Sequence, residues 1–445
     1  MFLASASKSF SYSVATRVVA HLAQGLDAAR VRRFLVYMRD CPELILLLMA
    51  GSVVGAQTCV ANRRYSTDEI ADLCRRFGFE HVMADVPMSI DNVRSHYLSD
   101  MVPPKEFNMN SMAIPRLSDD PDARHIVLTT GTTGTPKGAV YAWRDLVAQI
   151  RQRPDQRSVT FLLAYQMNHF AGIQMMLHAL CNRAALVMAE SLQMPDVAWA
   201  AKNFNVDAIS ATPTFWRMLC SYVASHSDRL SLKQVTVGGE AVTDDLLAKL
   251  ETCFPGVPVA QVYASTEMGS TFSVRDGKAG FPVSLLNRNS GEVQLRVVDG
   301  ELQIRAQHSM LGYVGDSSST QGEWFATGDL VAIQGDRVVF LGRKSEVINV
   351  GGVKVHPVEI EKVINQVPGV FAVRVSGRPN PVTGQIVVAQ VVIAPDSNGK
   401  EEEMGAAIRS ACKVLDRYMQ PRLIEFVSNL PTANQKLMRR PESES

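Results

Sequence analysis

Apolar residues recur at helical spacing over residues 14–26, and the same pattern returns at 43–53 and 67–77, with short apolar runs at 34–37 and 81–83. Helices and short buried strands therefore alternate, which predicts α/β layering. Residues 102–122 break that rhythm with Pro103, Pro104, Pro115 and Pro121, and are expected to form a connecting loop. The pattern resumes with a strand at 125–130 that runs straight into a Thr/Gly-rich segment. Buried strands are predicted at 159–163, 185–188, 234–237 and 259–263, interleaved with helices. One helix, 243–254, is expected to start on Thr243 as its cap, with Asp244 and Asp245 at the positive helix end.

Beyond residue 300 the texture changes to hairpins, at 301–305 and then at 330–333 and 337–341 joined through Gly335 and Asp336. The rest reads as strand, Gly-Gly, helix opened by Pro357, strands at 371–375 and 385–393, and a helix from Glu401. That is a compact βαββα unit of its own.

A chain of 445 residues calls for more than one folding unit. Its 45 Lys+Arg balance 44 Asp+Glu, and no block of like charge offers a polyanion a surface, so nucleic acid is not an expected partner. The seven cysteines are scattered, odd in number and never arranged as C-x-x-C, and read as buried thiols in a reducing compartment. The longest apolar run, 44–56, holds Gly51, Ser52 and Gly55 and falls short of the roughly 20 residues of a membrane span, so it predicts a buried helix. The N-terminal stretch mixes Ser, Lys and Arg through its apolar positions and lacks the apolar core of a signal peptide. A cytoplasmic protein is expected.

The segment most specific to chemistry is L-T-T-G-T-T-G-T-P-K-G-A-V at 128–140. Gly131 and Gly134 let backbone N–H groups turn toward an anion, hydroxyls including those of Thr129, Thr130, Thr132 and Thr133 supply donors, and Lys137 adds a mobile cation. This reads as a phosphate cradle. It is not a Walker A loop, because Pro136 stands five positions after Gly131.

At this segment the chain resembles the adenylate-forming superfamily of acyl- and aryl-CoA synthetases, nonribosomal adenylation domains and luciferases, and the likeness continues in order from residue 8 to 436. N-H-F-A-G at 168–172 is similar to the family's H-x-x-G pocket segment, with His169 at the substrate end. Gly238, Gly239 and Glu240 resemble the glycine turn that lets adenine approach the backbone. Y-A-S-T-E at 263–267 resembles Y-G-x-T-E, which implies that Tyr263 packs on adenine, that Thr266 stands at the reacting end, and that Glu267 helps hold Mg²⁺. Ala264 replaces the usual glycine, and its methyl is expected to narrow the acyl slot or shift the nucleotide. T-G-D at 327–329 and G-R at 342–343 imply that Asp329 and Arg343 reach the ribose hydroxyls.

The stretch 348–361 resembles the superfamily's strand, glycine turn and E-I-E helix, so Gly351 and Gly352 are expected to admit the pantetheine of coenzyme A after a domain rotation. The hinge position, normally Asp or Lys, falls on Ser345. P-T-A-N-Q-K at 431–436 resembles P-x-T-x-x-G-K with one residue fewer and Gln435 in place of the glycine, which makes Lys436 the catalytic lysine.

The resemblance implies an α/β fold: a large N-terminal domain over 1–341 with layered sheets and helices, a hinge near 343–346, and a small mobile α+β domain over 342–445. The implied reaction is ATP-dependent activation of a carboxylic acid to an acyl adenylate, with Mg²⁺ and release of pyrophosphate, then transfer to the thiol of coenzyme A. Two alternatives stay open: a stand-alone enzyme loading a separate acyl or peptidyl carrier protein, and a catalytically silent nucleotide-binding regulator altered at Ala264, Ser345 and Gln435. His169, where amino-acid-activating domains keep an aspartate, leans toward a simple acid. No G-x-S-x-G elbow supports a serine hydrolase. The pocket segments 165–172, 211–215 and 237–240 are mostly small and apolar, with Met167 adaptable in shape, and suggest an aryl or medium aliphatic acid.

Overall fold

A computed structural model of the chain describes residues 2–97, 116–129, 136–226, 229–286, 291–316, 319–394 and 399–430, with the backbone of 432–433 and 436–437. Two large sheets sandwich a shared layer of helices. The eight-stranded sheet runs, in spatial order, Gly269–Val274, Val259–Ser265, Gln234–Gly238, Ala208–Ala211, Thr160–Leu163, Ala185–Val187, Leu3–Ala4 and Ser9–Phe10, parallel throughout except at its two edges. The seven-stranded sheet runs Gly312–Tyr313, Lys137–Ala142, Arg124–Thr129, Gln57–Val60, Arg33–Tyr37, His81–Ala84 and Arg94–Tyr97.

Strand alternation decides which core each sheet face joins. Leu162, Ile209, Val235 and Val237 of the eight-stranded sheet bury one face against the helices Met194–Asn203, Pro213–Ser225 and Asp244–Cys253. Phe161, Leu163 and Ala208 turn the other way, toward the helices Tyr12–Ala28, Pro42–Val53 and Phe170–Asn182. The apolar run 44–56 is a buried helix as its composition predicts: Leu44 through Leu48 are each at most 1% exposed. Helix Thr67–Phe77 shows local chemistry and tertiary packing agreeing. Ser66 and Glu69 form a reciprocal cap, Gly78 ends the helix at φ +69°, and Ile70, Leu73, Cys74 and Phe77 make the inward stripe.

A five-stranded hairpin sheet, Phe281–Pro282, Arg337–Arg343, Trp324–Gln334, Glu301–Ala306 and Val293–Val298, follows with its own core. The last unit packs the helices Pro357–Ile364 and Glu401–Ala411 on strands Val353–Val355, Ile348–Val350, Gly384–Ile393, Val370–Asn380 and Leu423–Phe426. The final strand joins it parallel to Gly384–Ile393; with Val353–Val355 after the Gly-Gly turn, the unit has two elements more than βαββα. No described helix is long and apolar enough to cross a membrane. All seven cysteines are free, with Cys59, Cys74, Cys220 and Cys412 buried.

Several expectations need revision. Thr243 occupies the N-cap position, but its hydroxyl accepts from Arg217 Nη2 at 2.9 Å and makes no cap hydrogen bond. Arg217 also takes Asp245 at 2.7 Å, so a charged partner from the neighbouring helix outcompetes a local N–H. Strands Arg94–Tyr97, Lys137–Ala142 and Ala208–Ala211 have no counterpart in the sequence pattern, because short runs interrupted by polar residues carry little periodicity. Most of the loop expected at 102–122 lies outside the described residues.

Candidate active site

The carboxyl ends of the parallel strands, the hairpin sheet and helix Pro357–Ile364 surround a cavity of about 2060 Å³. Thr129, His169, Gly238, Gly239, Glu240, Tyr263, Thr266, Glu267, Asp329 and Arg343 all line it. Lys137, Gly351 and Gly352 do not. Gly351 and Gly352, at φ +61° and +89°, form the tight turn between Ile348–Val350 and Val353–Val355. Residues 130–134, and with them Thr130, Gly131, Thr132, Thr133 and Gly134, lie outside the described residues, as does Gln435. Lys436 is described as backbone only, in the strand Lys436–Leu437 that pairs with Thr432–Ala433.

One end of the cavity is knit around Asp329. The Tyr263 hydroxyl donates to Asp329 Oδ2, and Arg343 Nε donates to Asp329 Oδ1 at 2.8 Å. Arg343 Nη1 also donates to the Thr327 carbonyl at 2.7 Å, so three sequence-distant motifs share one hydrogen-bond network. Burial, then the Asp329 charge, holds the Tyr263 phenol far above its ordinary range, so it stays a donor. The Tyr263 ring packs against Phe272 and Phe340, each 5.3 Å away and within 5° of parallel. Glu301, which no motif flags, accepts from Gly328 N at 2.9 Å and from Lys344 at 3.0 Å, and so fixes the turn that carries Asp329.

Close to this network, Glu267 follows the strand Val259–Ser265, near enough for its charge to act on Arg343. Tyr141 donates to the carbonyls of Thr266 and Glu267 at 2.9 and 3.3 Å, and Met310 N donates to Glu267 O at 3.0 Å, so the main chain here is pinned. Glu267 Oε1 accepts from Tyr313 at 3.0 Å, and Lys137 Nζ lies 5.3 Å over the Tyr313 ring. Among the described residues nothing pairs with Oε2. A single carboxylate oxygen on a cavity wall fits Mg²⁺, which binds through one or two carboxylates plus nucleotide phosphates rather than an all-protein cage. Among the described residues no group of three acidic, His or Cys side chains forms such a cage.

Glu240 is used differently. Its carboxylate accepts from Thr214 N at 3.1 Å and Thr214 Oγ1 at 2.8 Å, which satisfies the first turn of helix Pro213–Ser225. Gly238 is required because a Cβ there would stand 2.8 Å from Val262 O, and Gly239 sits at φ +88°.

His169 is the N-cap residue of helix Phe170–Asn182, and its N–H donates to Gln166 O at 3.1 Å. The glycine three positions on has a steric cause: a Cβ on Gly172 would lie 2.3 Å from that same Gln166 carbonyl. Asp40 completes the turn, its carboxylate accepting from Met167 N at 3.2 and 3.3 Å. Burial lifts the Asp40 carboxyl to about 7. No sequence signal marks Asp40, which reads as an ordinary residue before a helix.

The family model for AMP-binding enzymes matches residues 2–314, and that for the AMP-binding enzyme C-terminal domain matches 359–436. The chain belongs to the AMP-binding enzyme family. It is similar to 2-succinylbenzoate–CoA ligase from Bacillus cytotoxicus, 26% identical over 438 residues that cover 93% of this chain and 89% of that one. It is also similar to 4-chlorobenzoate–CoA ligase from Arthrobacter sp., 26% identical over 91% of this chain and 83% of that one. Among solved structures, the anthranilate CoA ligase AuaEII in complex with anthranoyl-AMP shares the fold, with a TM-score of 0.85, 18% identity, and coverage of 98% of this chain and 92% of that one.

Proposed function

We propose that the protein activates a carboxylic acid with ATP and passes the acyl group to coenzyme A, as an acid–thiol ligase. The observation that carries this reading is the convergence of the Tyr263–Asp329–Arg343 network and the half-used Glu267 carboxylate on one cavity. The relatives named above are themselves CoA ligases.

The chemistry needs positioning and charge rather than a protein nucleophile. A substrate carboxylate oxygen bonds to the α-phosphorus of ATP, and the bond to pyrophosphate breaks. The thiol sulfur of coenzyme A then bonds to the acyl carbon, the bond to AMP breaks, and the thiol proton passes to solvent. Asp329 and Arg343 hold the ribose, Tyr263 and its two phenylalanines support the adenine, and Thr129 with the Thr/Gly-rich residues after it receives the phosphates. His169 and Thr266 face the reacting carboxylate, and Lys436 supplies the cation there. Mg²⁺ on Glu267 would neutralise charge on the departing pyrophosphate.

The division falls between a domain of residues 1–341 and a mobile domain of 342–445, with the hinge at 343–346 and Ser345 within it. Gly342, at φ +111°, supports a pivot at that point. Rotation there brings the Gly351–Gly352 turn to the thiol path. With its free cysteines, the protein suits the cytoplasm.

ATP–pyrophosphate exchange across a panel of aryl and aliphatic acids tests the first half-reaction. Loss of free coenzyme A thiol with the best acid tests the second. Exchange without thiol loss would reassign the acceptor to a carrier protein, and no exchange with any acid would overturn the reading.

A further inference from the structure

The cavity does not stop at His169. It continues along helix Phe170–Asn182, whose Gln174 and His178 line it, and His178 lies nine positions on from His169, about 13 Å further down the helix. The opposite wall is the sheet face that carries Leu163, Ser210 and Thr236, which lie side by side in register. Two hydroxyls and an amide in such a slot suit more than a bare hydrocarbon.

The far end is built around a cation. Asn182, 3% exposed, donates to the carbonyls of His178 and Arg151 at 2.9 and 3.3 Å and accepts from Arg153 N. This ties the 151–153 segment to the end of the helix, so Arg153 is half-buried and lines the cavity beside His178. Of the other arginines that line the same cavity, Arg39, Arg63, Arg217 and Arg343 each pair with a carboxylate, and Arg64, Arg151 and Arg275 are exposed to solvent. Arg153 has no such partner among the described residues. Burial and the Arg153 charge lower the His178 pKa, so its ring is neutral. The His178 ring meets Phe161 edge-on, with centroids 5.2 Å apart, and as a neutral imidazole it carries one N–H to donate. One cation without a carboxylate partner among the described residues and one neutral imidazole therefore stand together at this end.

From this juxtaposition we infer that the acid activated here is a dicarboxylate, whose second carboxylate is held by Arg153 and His178 while the first reacts beside His169. The inference rests on the acid-activating reading above. An apolar chain end would press a methyl against a half-buried guanidinium and leave it unpaired, whereas a carboxylate offers it a charge-assisted, two-oxygen partner.

The test compares octanoate with octanedioate, equal in chain length, by pyrophosphate release in the full-length protein and by calorimetric binding. A hydrogen-bonded charge at the far end is expected to favour the diacid by on the order of 10- to 100-fold in kcat/KM. Arg153→Glu is expected to invert the ranking, with the ω-amino acid of the same length overtaking the diacid, and Arg153→Gln to bring the diacid-to-monoacid ratio close to one. The inference is overturned if wild type uses octanoate as well as octanedioate, or if the ratio survives both substitutions. No pyrophosphate from either of these acids or from any aryl acid would overturn the acid-activating reading itself, and this inference with it.

Discussion

Glu240 and Glu267 follow adjacent parallel strands and line the same cavity, yet the fold employs them in opposite ways. Glu240 has both oxygens engaged by Thr214 at the start of a helix, which is a structural task. Glu267 has its main chain pinned by Tyr141 and Met310 and only one oxygen taken, by Tyr313. A motif reading assigns Glu240 to the adenine turn and Glu267 to Mg²⁺. The contact pattern separates them: a carboxylate whose acceptors are consumed by the protein stabilises the fold, and one held rigid with an oxygen to spare is ready for a ligand.

The largest test of that contrast is Glu267→Gln. Removing the charge that would face Mg²⁺ is expected to lower pyrophosphate release by about 10²–10³ while the melting temperature stays that of wild type. Wild-type exchange at ordinary Mg²⁺ would collapse the distinction. Lys436→Ala places the complementary cation. Adenylate formation is expected to fall by about 10² or more, while a chemically supplied acyl adenylate still converts to thioester at nearly the normal rate. Equal losses in both half-reactions would remove Lys436 from the first one.

Asp40 adds a third kind of carboxylate, one that burial keeps protonated up to about pH 7. In the unfolded chain an aspartate ionises near ~4, so between about pH 4 and 7 the folded state holds the extra proton and stability falls as pH rises. Asp40→Asn retains an acceptor for Met167 N–H and removes the titration. It is expected to flatten the stability profile by on the order of 1–3 kcal/mol across that window, read as melting temperatures at pH 5 and pH 8. An unchanged slope would place the titration elsewhere. The smallest effect is expected from Glu240→Gln: roughly 1 kcal/mol of stability, as for loss of a helix cap, with exchange activity close to wild type. A hundredfold loss of activity there would make Glu240 a nucleotide ligand after all.

How much of this is legible in the sequence depends on where each residue's partners lie. Tyr263, Asp329 and Arg343 sit in motifs that resemble a family, and the cavity gathers them. Glu301 and Tyr313 belong to no motif, because their roles exist only once the hairpin sheet and the seven-stranded sheet are in place. Phe272 and Phe340 are likewise ordinary strand residues until strand pairing sets them beside Tyr263. Buried strands with unbroken apolar runs, such as Ala185–Val187, read directly. The Lys137–Ala142 strand does not, since its alternation is short and its glycine breaks the pattern. Thr243 shows the converse failure, in which a sound local rule loses to a charged neighbour.

The Lys137–Ala142 strand has one more consequence. The strand Arg124–Thr129 pairs antiparallel with Lys137–Ala142, with Thr129 opposite Lys137. In that register Ala139 and Tyr141 are fully buried, and Tyr141 is the residue that grips the main chain at Thr266 and Glu267. Residue count is therefore a functional constraint along this strand. One inserted residue between 138 and 140 reverses the facing of every side chain after it. Tyr141 would swing out of the core and release Glu267. A single-residue insertion at 138–140 should thus lower both the melting temperature and pyrophosphate release.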